Sequence, residues 1–284
     1  EEQGGYARSE GFSDAISSAI GESRNVGYKK KRLDFGISRE ISTSILELGL
    51  SIDKYDYNFI DIFSGNTVPY DRQRLAADFS WFFEPTFLAK TRLGFGLTAG
   101  QEEVEQNSLG AQNFLTPSIR AKWNFSPKTA FAGWFGFDER GRDSDDFSET
   151  TSVYGLKGFW TAPTDTQFTV DIIKQVYPSI FEIDDNVATK KFSVGAKQAF
   201  NRGFDLDFRF FYEFSDYQPT KSGNLRSRTE DLKSFRLTLG KSMQIDYFKE
   251  SQLSIFYNRL VNDSTKNVYD YERDQVGLQF RFSL

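Results

Sequence analysis

Between Phe204 and Phe214 the chain reads F-D-L-D-F-R-F-F-Y-E-F, and this stretch restricts the fold more than any other. Successive side chains on a strand point to opposite faces. Phe204, Leu206, Phe208, Phe210, Tyr212 and Phe214 therefore share one face, opposite Asp205, Asp207, Arg209, Phe211 and Glu213. Charges in that number are not packed inside a protein core. The pattern suits a wall with hydrocarbon on one side and water on the other. It predicts an all-β fold, a transmembrane antiparallel up-and-down β-barrel, forming a single domain over residues 1–284.

Composition agrees where it bears on the point. Aromatic residues make up 17% of the 284, with 30 Phe and 13 Tyr, yet mean hydropathy is −0.52. No apolar run approaches the roughly 18 residues of a membrane helix. These features coincide when only alternate residues face lipid. The segment after Glu1-Glu2-Gln3 is not an apolar leader, which reads as a mature or trimmed chain. The chain contains no Cys and no His. Thiol nucleophiles, thiolate metal sites and imidazole bases are thereby excluded. A net charge of −5 and a pI near 5.1 speak against nucleic acid as a partner. No catalytic group, metal site or cofactor is predicted.

Along the chain, strands are expected at 33–41, 46–57, 72–82, 86–101, 115–125, 129–138, 152–160, 167–176, 191–200, 204–214, 234–242, 252–261 and 275–284. Short turns with Pro, Gly or Ser-Thr alternate with long polar loops near 58–70, 102–111, 140–150, 178–188, 217–233 and 262–273. Short turns at one rim and long loops at the other characterise bacterial outer-membrane barrels, with the short turns periplasmic. Such a barrel needs an even strand number. The expected count is fourteen, with twelve or sixteen as alternatives. The missing strand would lie near 11–21, and residues 1–22 are either that strand or a periplasmic N-terminal segment.

An internal repeat marks the short turns: W-F-F-E-P at 81–85, W-N-F-S-P at 123–127 and, more loosely, F-W-T-A-P at 159–163. Trp81, Trp123 and Trp160 precede those turns. Tyr55, Tyr57, Tyr70, Tyr177, Tyr217, Tyr269 and Tyr271 lie near the opposite strand ends. Trp and Tyr favour the headgroup level, so two girdles are expected, with Trp81, Trp123, Trp160, Tyr217 and Tyr271 among their members.

With the lipid-facing parity fixed, the lumen residues follow. Arg72, Arg74, Lys90, Arg92, Arg120 and Lys122 are expected to form a basic wall on three consecutive strands. Asp34, Glu40, Glu47 and Asp53 would form an acidic wall beside it, with Asp205, Asp207, Arg209 and Glu213 further round. Two consequences are open: a transverse field across a wet pore, or charges that pair and hold a narrow lumen shut. The acidic run 138–149 lacks the ligand spacing of a calcium loop and reads as a solvated surface loop. Gly94 and Gly96 precede no helix, which excludes a nucleotide loop, and read as an aid to wall curvature.

The C-terminal segment Y-D-Y-E-R-D-Q-V-G-L-Q-F-R-F-S-L alternates Val276, Leu278, Phe280 and Phe282. It resembles the last strand of Gram-negative outer-membrane proteins, which usually ends in an aromatic recognised by the assembly machinery; here the final residue is Leu284. With its Tyr269–Arg273 lead-in it looks like porins and exopolysaccharide-export barrels. The resemblance implies residence in the outer membrane, contact with its lipid and lipopolysaccharide, recognition by the barrel-assembly machinery and a possible periplasmic partner. It also implies a pore that passes polar solutes or exports a polymer such as polysaccharide. The competing readings are a scaffold barrel whose lumen holds a partner chain, a glycan hydrolase using Asp205 and Asp207, and a soluble β-sandwich.

Overall fold

The computed structural model describes residues 2–6, 27–60, 67–69, 72–88, 90–104, 110–142, 147–178, 184–219, 228–245, 248–265 and 270–283. The first half comprises β1 (Glu2–Tyr6), β2 (Gly27–Ile41), β3 (Ser44–Ile60), β4 (Thr67–Pro69), β5 (Arg72–Phe83), β6 (Thr91–Val104), β7 (Gln112–Ser126) and β8 (Thr129–Arg142). The second half comprises β9 (Phe147–Thr161), β10 (Gln167–Pro178), β11 (Asp184–Ala199), β12 (Phe204–Pro219), β13 (Arg228–Ile245), β14 (Phe248–Ser264) and β15 (Tyr271–Ser283). Every ladder is antiparallel, and neighbours in the sheet follow chain order except for β4, a short strand beside β3. Thirteen strands are long, as the sequence pattern implies. The strand expected near 11–21 falls outside the described residues, and the short β1 pairs with β2 instead. Among the described residues no ladder joins β1 to β15.

Several strands run well past their expected ends. The segment read as a loop over 217–233 is strand to Pro219 and again from Arg228, and β8 runs to Arg142 through part of the acidic run. Beyond the bilayer both faces of a strand are polar, so hydropathic alternation fades while the ladder hydrogen bonds continue. At the other end the second strand of one hairpin is shorter than expected. Glu84–Lys90 form the connection and β6 starts only at Thr91. Residues Ser42, Lys90, Asp165 and Arg202 adopt positive φ, reversing the chain at four of the short turns.

Register keeps the two faces separate around the sheet. Phe208 stands opposite Ala196 and Leu237, and Leu237 opposite Tyr257. Leu33, Phe35, Ile37, Leu48, Leu50, Phe95, Ile119, Phe135, Leu239, Ile255, Leu278 and Phe280 lie on the outward face and are exposed. Val276 and Leu278 are 70% and 75% exposed, far beyond what water tolerates for a contiguous patch. Buried polar and charged groups gather on the inner face near the long-loop rim, among them Asp53, Arg72, Glu102, Gln112, Arg140, Arg142, Glu213, Arg228, Glu230 and Asn262, beside apolar clusters such as Phe211, Leu232 and Leu260. The apolar surface is outside and the polar side chains fill the inside, an arrangement that requires lipid around the wall.

Candidate functional site

The inner face is organised around Glu102 at the end of β6. Its carboxylate accepts from Arg72 Nη2 at 3.0 Å and Arg140 Nη1 at 2.9 Å, and Arg74 Nε lies 2.9 Å away. Arg140 also donates from Nε to Asp138 at 2.6 Å and from Nη2 to the Val176 carbonyl at 2.7 Å. Thr116 closes the cluster by donating to Asp138 at 3.1 Å. The Arg72 guanidinium lies 5.0 Å from the centre of the Tyr177 ring. Side chains from β5, β6, β7, β8 and β10 are thus tied together in one buried belt across this arc of the wall. Charge-assisted bonds of this kind hold only when the remaining donors and acceptors are also engaged. Further round the same rim Arg228 pairs with Glu230 at 3.1 Å and covers the Tyr217 ring at 3.6 Å.

Below this belt lies a cavity of about 400 Å³ lined in part by Asp78, Thr98, Arg120, Trp134, Lys157 and Gln175. Arg120 reaches from β7 across β6 to Asp78 on β5, donating two hydrogen bonds of 2.9 and 2.7 Å, and it also bonds Ser80. It passes directly over Gly96, where any Cβ would collide with the guanidinium. At Gly94 a Cβ would strike the Trp81 carbonyl on β5, so the backbones of β5 and β6 approach closely there. Lys122 reaches further, to Glu47 on β3 at 2.9 and 3.1 Å, over the Phe82 ring.

Most cations of the expected basic wall are therefore paired with carboxylates, one of which, Glu47, belongs to the expected acidic wall. Arg72 and Arg74 meet Glu102, Arg120 meets Asp78, Lys122 meets Glu47, and Arg92 meets Glu84 at 2.7 Å near the short-turn mouth. Opposite charges within reach across a curved wall pair with each other rather than sustain a field. Lys90 leaves the wall altogether: it sits in the connection before β6 and donates to the Phe125 carbonyl at 2.8 Å. In the second half Asp205 accepts from Gln252 at 2.6 Å and Asp207 pairs with Arg209 at 3.0 Å. Both carboxylates are thereby engaged by other side chains. Glu213 is buried on the inner face near Ser215.

Trp81, Trp123 and Trp160 lie outward beside the short turns. Trp123 stacks on Phe131 at 5.7 Å and Trp160 on Phe168 at 5.3 Å. Tyr217 and Tyr271 do not join an outer girdle. Tyr217 is 1% exposed and shares the inward parity of Glu213, and Tyr271 packs on the inward cluster of Phe211, Leu232 and Leu260. Both rings follow the inward parity of their strands. The side chains of Tyr55, Tyr57, Tyr70 and Tyr269 lie outside the described residues. Sequence reasoning missed Glu102, Arg140 and Trp134. Glu102 was detectable, since it continues the inward parity of Gly94, Gly96 and Thr98 past the apparent strand end.

The wall of this molecule is similar to solved structures of the FrpB iron transporter from Neisseria meningitidis. The F3-3 variant superposes with a TM-score of 0.52 at 11% identity, covering 99% of this chain and 53% of that one. The F5-1 variant in its apoprotein form gives 0.51 at 8% identity, covering 84% and 46%. The fold is that of an outer-membrane β-barrel. The chain spans about half the length of those transporters. No protein-family model and no curated protein matches the sequence.

Proposed function

We propose that this chain forms the wall of a transport barrel in the outer membrane of a Gram-negative bacterium, passing polar solutes through a gated, charge-compensated lumen. The observation that carries the reading is the division between an outward face of exposed apolar side chains and an inward face on which hydroxyls, amides and paired charges predominate beside small apolar clusters such as Phe211, Leu232 and Leu260. Such a lumen is wettable without a strong preference for either sign of ion, because its carboxylates and guanidiniums neutralise each other locally. The buried belt around Glu102 favours a conduit that opens on demand over a permanently open porin. A secreted polymer, such as the polysaccharide implied by the C-terminal resemblance, is the cargo class that best suits a route opened by a periplasmic partner. Asp205 and Asp207, each held by another side chain, support transport rather than hydrolysis.

The test is single-channel recording in planar bilayers. The native chain should be nearly silent, and Arg72→Ala with Arg140→Ala should open steps of conductance with weak ion selectivity. If the double variant folds and stays silent, a scaffold barrel with an occupied lumen becomes the better reading.

A further inference from the structure

Just beyond the apolar band, the outward face carries a level of polar side chains toward the long-loop rim. On the β13–β15 arc the cations at this level have their own carboxylates. Lys233 Nζ lies 2.9 Å from Asp263, and Arg259 Nη2 lies 3.1 Å from Glu272. On β10 and β11 the arrangement differs. Lys174 and Lys190 stand directly opposite each other in the ladder, with the same outward parity as Ile172 and Phe192. Among the described residues neither has a carboxylate within ion-pair reach. Asp216 is set opposite Ala188, one outward position away, and forms no such pair. Lys174 Nζ donates to Ser152 Oγ at 3.0 Å, and Lys190 Nζ lies 5.6 Å from the centre of the Phe214 ring. Like charges directly opposite destabilise a strand pair. Five N–H donors remain on the two ammoniums after the Ser152 bond.

Height along the wall says what neutralises them. Phe168 stacks on Trp160 at the short-turn end, and Lys174 lies six residues further along the same strand, roughly 20 Å away. Long lysine stems add reach, so the ammoniums come to the far edge of an apolar band about 25 Å tall. Phe168, Val170 and Ile172 on β10, with Phe192 and Val194 on β11, make a continuous apolar track leading up to them. We propose that Lys174 and Lys190, beside the Ser152 hydroxyl, bind the phosphate of a membrane lipid headgroup whose acyl chains lie along this track. The inference rests on the reading of the chain as a membrane barrel. The apolar track selects a lipid over free phosphate, since only a lipid occupies both parts.

The full chain is reconstituted in phosphatidylcholine nanodiscs doped with bisphosphorylated lipid A or its dephosphorylated form, and retained lipid is counted by native mass spectrometry. Each lysine near a charged surface contributes enough that the native chain should prefer the phosphorylated form by about thirtyfold. K174Q/K190Q should abolish that preference while its bilayer conductance stays that of the native chain. K233Q, whose cation already has Asp263, should leave the preference within about twofold. A preference that survives K174Q/K190Q, or is absent from the native chain, overturns the site. Displacement of the lipid by excess inorganic phosphate overturns the lipid assignment in favour of a general anion site. A native chain that stays in solution without detergent and ignores nanodiscs fails earlier, at the membrane reading itself.

Discussion

Near the long-loop rim the inner wall carries charges that water does not reach, whereas toward the short turns the same wall carries charges that water bathes. Glu102 and Arg72 have side chains 1% and 3% exposed, and one carboxylate there serves three guanidiniums. Arg209 on the inner face of β12 is 68% exposed and pairs only with Asp207, two residues away on its own strand. Residue types are alike in the two regions. The difference lies in reach: at the long-loop rim arginines from β5 and β8 converge on a carboxylate of β6 and touch β10, whereas among the described residues the Arg209 ion pair runs along its own strand. A charged inner face is therefore dry where side chains converge and wet where they do not.

The largest expected effect follows from removing the shared acceptor. Glu102→Gln leaves buried Arg72 and part-exposed Arg74 against a neutral amide, and Arg140 keeps Asp138 and the Val176 carbonyl. Breaking a buried pair in this way costs about 3–5 kcal/mol. Urea unfolding in detergent micelles, followed by tryptophan fluorescence, measures it. A loss under about 1 kcal/mol would mean that the belt is as hydrated as an exposed ion pair.

An intermediate effect is expected below the belt, where Arg120 crosses Gly96 to reach Asp78. A methyl group at position 96 occupies the place of the guanidinium, which is the free end of a flexible side chain and moves aside. Gly96→Ala should therefore cost about 1 kcal/mol, the worth of a half-exposed charged hydrogen bond. Arg120→Gln removes the same contacts. Because both changes destroy one interaction, the double variant should cost little more than either alone. Additive losses in that cycle would show that Gly96 matters to the backbone and not to the arginine.

Much of this wall was legible from polarity alone. The outward face was readable because lipid imposes period-two alternation, and Phe204–Phe214 displays it with Phe211 as the one apolar residue on the inner face. Inward parity was equally secure, which placed Arg120, Lys122, Glu47 and Asp205 on the inner face. The pairing was not readable. Lys122 and Glu47 are separated by two intervening strands, and only the curvature of the sheet brings them within 3 Å. Glu102 and Tyr217 were misjudged for a related reason: above the bilayer both faces are polar, so a strand there has no hydropathic signature, and its residues resemble those of a loop. Lys90 erred in the opposite sense. It follows the alternation of β6 in sequence but adopts a left-handed backbone in the turn before it.

The smallest effect belongs to the wet region and tests the comparison from its other side. Arg209→Gln removes a cation that is mostly solvated and held by one carboxylate. Such a pair is worth about 0–1 kcal/mol. Arg236 stands directly opposite Arg209 in the ladder, so the substitution also relieves a repulsion between like charges. The two contributions oppose each other, and the unfolding midpoint should shift by the equivalent of under about 0.5 kcal/mol. Raising the salt concentration should shrink the shift further, because water screens both terms at an exposed site. A loss of about 2 kcal/mol or more, insensitive to salt, would place Arg209 in a layer as dry as the one around Glu102, and the distinction between dry belt and wet wall would no longer hold.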